Sequence, residues 1–239
     1  THGILLNARE STPLKDRRVR KALNLAVDRQ AIIKNLFLGR GRFLNTVAGA
    51  NVTNGFDPAP FPYDPARAKQ LLAEAGYGQG FDLTLWQSLG RWTQAEEIAQ
   101  VVAGYFEKVG VRTKLSVLEW AEYNKRAGGS LLKDCFYYAF INGTWDASYT
   151  VQRFKPSFAS FRYFDATGDL LAAIEEYERT FDAGKRKELA RKAQQGLHDE
   201  AVWVFLWQLD EHMGVSKKVK GFKRRADDYV WARDAYVEA

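Results

Sequence analysis

Residues 81–117 read "FDLTLWQSLGRWTQAEEIAQVVAGYFEKVGVRTKLSV". The first six alternate, with Phe81, Leu83 and Leu85 on one side, which is the pattern of a strand with one buried face. Thr93 and Glu96 stand three apart, the spacing of a capping box. Ile98, Val102, Phe106 and Val109 follow at helical intervals as far as Gly110. Residues 111–117 alternate again. The stretch predicts a strand at 81–86, a helix at 93–109 and a strand at 111–117. Such a β-α-β unit is expected to cross over right-handed between parallel strands.

Upstream, "YDPARAKQLLAEAGY" (63–77) is the clearest helix. Asp64 is placed to cap it, Pro65 sits at the first turn where its missing N–H costs nothing, and Gly76 closes it. "ILLN" (4–7) reads as a short strand. Asp16 can cap a helix bearing Val19, Ala22, Leu23, Ala26 and Val27, and Asp28 a shorter one ending at Gly39. Residues 40–62 have no period and read as a long loop. Downstream come a short helix near 120–127, then an unbroken apolar run at 135–141 that suits a central strand. An irregular aromatic segment at 149–167 follows, then helices at 169–182 and about 184–200. "VWVFLW" (202–207) is strand-like, and a basic turn lies around Gly221. Strands alternating with helices make the class α/β.

Composition narrows the function. The 239 residues, 46% apolar, can bury one large core or two modest ones, but no apolar run is long enough to span a membrane. The start carries neither an initiator Met nor a leader pattern, so the chain is expected to be a mature protein or an excised piece. Cys135, the one cysteine, can form no internal disulfide and reads as a buried, inert thiol. His2, His198 and His212 are scattered without ligand partners, so no metal site is expected. The net charge of +6 comes partly from clusters at 15–21 and 217–225. These read as solvated faces, and nucleic acid is not an expected partner.

Catalytic motifs are missing. "GYGQGF" (76–81) stands between a helix and a strand, the reverse of a dinucleotide turn, and "GRGR" (39–42) ends a helix. The pairs Glu96–Glu97 and Glu175–Glu176 are adjacent, so they point apart on a helix. No Gly-x-Ser-x-Gly is present, and the chain is not expected to be an enzyme. What stands out is "AFINGTWDASYT" (139–150), where an apolar run gives way to Trp145, Asp146, Ser148 and Tyr149, with Phe154, Phe158, Phe161, Tyr163 and Phe164 soon after. Rings beside one carboxylate at the end of a central strand can wall a small-molecule site, or form a hydrophobic cluster under a loop.

Four stretches resemble the family 5 solute-binding proteins, the large extracytoplasmic receptors of ABC importers. "PLKDRRVRKALNLAVDRQAII" (13–33) is similar to the family's Pro-Phe-x-Asp-x-x-Val-Arg-x-Ala-Leu-x-x-Ala-Ile-Asp-Arg. Residues 63–77 resemble its Tyr-Asp-Pro-x-x-Ala-x-x-Leu-Leu-x-x-Ala-Gly-Tyr, "KRKELARKAQQGLHDEA" (185–201) its penultimate helix, and "KVKGF" (218–222) its Val-x-Gly-Phe turn. The order and spacing agree along nearly the whole chain.

The resemblance implies the C-terminal lobe of a two-lobed periplasmic-binding-protein-like fold (class II, cluster C), with a central mixed sheet flanked by helices. Residues 1–9 would cross toward an absent N-terminal lobe, 10–207 would form the ligand-binding lobe, and 208–239 would return. The implied function is capture of a solute, peptide-like by preference, with a membrane permease as partner, no cofactor and a periplasmic or extracytoplasmic location. The alternatives from residues alone are an α/β enzyme, or a basic adapter for nucleic acid or a membrane surface.

The family's Gly-Trp-x-x-Asp-Tyr after a central strand places Trp145 at its Trp and Tyr149 at its Tyr. Ser148 falls at its acidic position, and the carboxylate comes two residues earlier, at Asp146. Either Asp146 holds a ligand ammonium in a shifted register, or the ligand has no free peptide N-terminus. Trp207 falls where the family has an aromatic near the cleft, in a segment that lacks the family's two prolines. The implied site is therefore Trp145, Asp146, Ser148, Tyr149 and Trp207.

Overall fold

The structure is a computed structural model and describes residues 1–49, 51–209, 213–223 and 231–238. Its centre is a six-stranded mixed sheet. The strands are β1 (His2–Leu6), β2 (Arg42–Phe43), β3 (Phe81–Ser88), β4 (Val111–Leu118), β5 (Cys135–Ala139) and β6 (Trp203–Gln208), in the order β2-β6-β1-β5-β3-β4. β3 is parallel to β4 with Phe81 opposite Val111, and parallel to β5, as the β-α-β reading requires. β1 runs antiparallel to both its neighbours, β5 and β6. β1 is thus an interior strand of this sheet.

Helices cover both faces. α1 (Thr12–Lys15), α2 (Arg17–Ala26), α3 (Arg29–Leu36), α4 (Pro65–Glu74) and α5 (Ala95–Lys108) pack on one side, against Ile4, Leu6, Leu83, Leu85, Tyr137 and Val204. On the other side α6 (Trp120–Gly128), α7 (Ser148–Val151), α8 (Gly168–Arg179) and α9 (Ala183–Asp199) meet Leu5, Phe136, Tyr138, Trp203 and Phe205. Adjacent strand residues serve opposite cores, which is why β5 and β6 read as continuous apolar runs. The described part of the tail holds two short paired strands, β7 (Val219–Lys220) and β8 (Tyr236–Val237). His212, Arg224 and Arg225 lie outside the described residues.

The caps at Asp16, Asp28 and Asp64 form as expected, their carboxylates accepting from the backbone N–H of Arg18, Ala31 and Arg67 at 2.8–2.9 Å. The capping box at Thr93 does not form. Gln94 occupies the cap in a left-handed conformation (φ 56°) with no side-chain cap bond, and the helix starts at Ala95. Trp92 packs edge-on to Trp120, Tyr137 and Tyr138, and burial of that ring sets the path of the turn against the cap preference. Gly80 and Gly110 stand where β3 and β4 begin. A Cβ on Gly80, at φ +77°, would lie 2.0 Å from the Gly110 carbonyl oxygen, so this close approach requires glycine.

Candidate functional site

The C-terminal ends of β3, β4 and β5, the start of β1 and the end of β6 all lie at one edge of the sheet. Ligands of open α/β sheets bind outside such strand ends. Leu89, just past β3, and Ile141, just past β5, are exposed there. His2, at the same edge, is half-buried with Nδ1 2.6 Å from the Tyr137 hydroxyl. Burial, and then the N-terminal charge, hold its imidazole down at about 3.

The segment after β5 is laid beside residues 53–54. Thr53 N–H donates to the Trp145 carbonyl at 2.7 Å, and Ala147 N–H to the Thr53 carbonyl at 3.0 Å. Trp145 takes a left-handed conformation (φ 56°) and is half-buried, a strained geometry for a bulky residue. Ser148 and Tyr149 open α7 and are also half-buried. Trp145, Asp146, Ser148 and Tyr149 are thus brought together.

Asp146 is committed inward. Its carboxylate accepts from Ser148 N–H (2.9 Å), the Tyr177 hydroxyl (2.6 Å), the Asn54 amide (3.0 Å) and the Arg186 guanidinium (3.1 Å). Burial alone would raise its carboxyl, but the hydrogen bonds from Ser148, Tyr177 and Asn54 outweigh it and hold the group at about 2. Oδ1 takes three of these four donors and Oδ2 takes the Asn54 amide, so the carboxylate that the sequence offered to an ammonium is engaged by the protein itself.

Trp207 stands apart from these four. It is fully buried, T-packed on Phe37 at 5.2 Å beneath α3. The pairing of β6 with β1 shifts register between His2 and Gly3. That shift puts Trp207 in the same core as Val204 and Leu206 rather than with Trp203 and Phe205.

Other groups line this edge that sequence reasoning passed over. Trp92 and Trp120 meet edge-to-face at 5.5 Å, with Tyr138 5.1 Å from Trp92. The exposed Arg91 lies over Trp120 at 5.0 Å and over Trp92 at 5.8 Å. Arg153 lies over Tyr149 at 4.9 Å. Among the described residues neither arginine has an ion-pair partner, whereas Arg20, Arg162 and Arg186 each do. Tyr138, whose hydroxyl donates to Asn124 at 2.8 Å, is raised by burial and drawn back by Arg153 and Arg91 together. The only signal in sequence was the i, i+4 spacing of Tyr149 and Arg153 on a helical turn. The edge is therefore a ring-lined surface whose one central acid is neutralised and whose two nearby arginines are not.

Residues 1–161 match the family described as bacterial extracellular solute-binding proteins, family 5 Middle. The chain is 31% identical over 230 residues to heme-binding protein A of Haemophilus influenzae, covering 89% of this chain and 40% of that protein. It is 32% identical over 240 residues to the dipeptide-binding protein of Escherichia coli K12, covering 92% and 42%. The fold matches that of the ABC transporter-associated periplasmic binding protein DppA from Helicobacter pylori, solved with the peptide STSA, with a TM-score of 0.85 at 22% identity over all of this chain and 47% of that one. The chain spans less than half the length of each of these proteins.

Proposed function

The chain belongs to the family 5 bacterial extracellular solute-binding proteins, and from that premise we propose that it is one ligand-holding lobe of a receptor that captures a solute for an ABC importer. The solute is peptide-like in size and polarity, and the receptor works outside the cytoplasmic membrane without making or breaking a covalent bond. The observation that carries this reading is the strand-end surface of Trp92, Trp120, Tyr138, Trp145 and Tyr149, beside which lies Arg91, without an ion-pair partner among the described residues.

Flat rings supply contact area at low cost in side-chain entropy. An arginine over two rings keeps its N–H donors for a guest. In a closed, water-poor cleft one charge-assisted hydrogen bond contributes about 1.5–3 kcal/mol net. The second wall is a further lobe, reached by the chain flanking β1 and β6. Closure of the two lobes about that connection signals the loaded state to the permease. Within this lobe Trp145, Ser148 and Tyr149 form the rim, and Asp146 fixes it from behind.

Native mass spectrometry of the full-length receptor purified from its host tests the reading. A retained non-covalent mass in the range of a small peptide is the expected result. A receptor that carries no solute and gives no heat with any tripeptide in calorimetry overturns it.

A further inference from the structure

Arg153 lies in the last turn of a short helical path, α7 continued by a single 3-10 turn at Gln152–Phe154. Its guanidinium carbon lies 4.9 Å from the ring centre of Tyr149, 5.1 Å from Phe140, 5.4 Å from Phe158 and 5.8 Å from Phe161. Four rings stabilise a positive charge through their faces but accept no conventional hydrogen bond in the guanidinium plane. Arginine carries five N–H donors. Among the described residues none of these five has an acceptor, and Nε is enclosed with none.

This is not how the fold treats the buried Arg20 or the half-buried Arg186. Arg20 reaches the carbonyls of Leu14 and Lys15 and the Glu200 carboxylate. Arg186 reaches the carbonyls of Tyr177 and Thr180 as well as Asp146. On the inner side Arg153 borders a cavity of ≈ 10 Å³ walled by Phe140, Phe154, Phe161 and Trp203. A water there would find few polar partners. Stacking therefore holds the group in place, while its terminal nitrogens, which are not enclosed, remain available from outside.

The location joins this group to the strand-end surface. Phe140 directly follows β5 and exchanges both backbone hydrogen bonds with Thr1. Tyr149 belongs to the rim, and Tyr138 feels both Arg153 and Arg91. We propose that Arg153, held in its cage of four rings, is a receptor for a carboxylate of the solute. The planar fork matches a carboxylate's two oxygens. The identity of the guest as the transported solute rests on the function proposed above, but the charge preference of the cage does not.

The test is an NMR titration of the 15N-labelled chain with propionate and, separately, with propionamide, which share a shape and differ in charge. The Arg153 Nε–H resonance is assigned by its loss in Arg153→Gln. The expected result is a saturable shift with propionate, at a Kd of about 1–10 mM for so small a probe, and none with propionamide. Arg153→Lys keeps the charge without the fork, and it is expected to weaken the response about fivefold or more. Thermal melts of both variants establish that they fold.

An equal response to the amide, an equal shift at the exposed Arg17, or no response to either probe overturns the proposal. So does a tighter response to inorganic phosphate, which would assign the cage to a different anion. If propionate moves Arg153 while the full-length receptor retains no solute, the carboxylate site stands and the capture reading falls. A retained solute whose binding is indifferent to Arg153→Lys has the opposite meaning.

Discussion

The Arg186 guanidinium lies 3.1 Å from Oδ1 of Asp146, and this contact ties the segment after β5 to the start of α9. The Tyr177 hydroxyl on α8 reaches the same oxygen at 2.6 Å. That segment is thus fastened from behind to the helical layer, and its rings are presented by a braced loop.

Asp146→Ala is expected to destabilise the fold by about 2 kcal/mol, the usual scale for hydrogen bonds to a charged group. Arg186 keeps two carbonyl acceptors, which limits the loss. The pH dependence follows from the carboxyl being lowered from 3.8 to about 2. A depressed acid stabilises the fold above its unfolded value and loses that contribution as pH falls through its folded value. Urea titrations of wild type and Asp146→Asn should therefore differ at pH 7 and converge between about pH 4 and pH 2. A constant difference across that window would contradict the assignment.

Two tryptophans that look alike in sequence should separate cleanly. Trp207→Ala opens a core cavity and is expected to cost about 3–5 kcal/mol in chemical unfolding. Trp145→Ala removes a half-buried ring and is expected to cost about 1 kcal/mol or less, while weakening solute binding by the full-length receptor. Trp145→Gly should recover part of that stability, because glycine accepts the left-handed backbone.

Gly80→Ala is expected to lower stability by about 2 kcal/mol or more, since the new methyl must displace the Gly110 carbonyl at a positive φ. Gly78→Ala, where a Cβ would meet only ordinary contacts, serves as the control. Differential scanning calorimetry of both variants checks the pair.

Calorimetry of this chain alone with the tripeptide Ala-Phe-Ala should give no measurable heat at micromolar concentrations. A single wall leaves charge-assisted bonds in water, where each contributes little. Micromolar binding by the chain itself would show that one lobe suffices.

The fold was largely legible because its signals are local. Asp16, Asp28 and Asp64 announce three helices, and residues 81–117 carry their own strand, helix and strand. The site was legible only in part, because its decisive facts are long-range. Nothing near Asp146 announces that Arg186 and Tyr177 will engage it. The face of Trp207 depends on a register shift against a strand at the other end of the chain. The cap at Thr93 lost to the packing of Trp92, and no local pattern weighs those two energies. Arg153 stands out by what it lacks, and an unpartnered donor has no sequence signature.

β1 holds the middle of the sheet, yet both its partners come from distant sequence: Leu5 pairs with Phe136 on one side and with Trp203 on the other. A nascent chain emerging from the ribosome cannot seal that strand until the last part of this lobe has been synthesised. Such non-local closure is slow, and until it occurs Leu5 and its neighbours present a bare apolar edge that a chaperone, or another unfinished copy, can take.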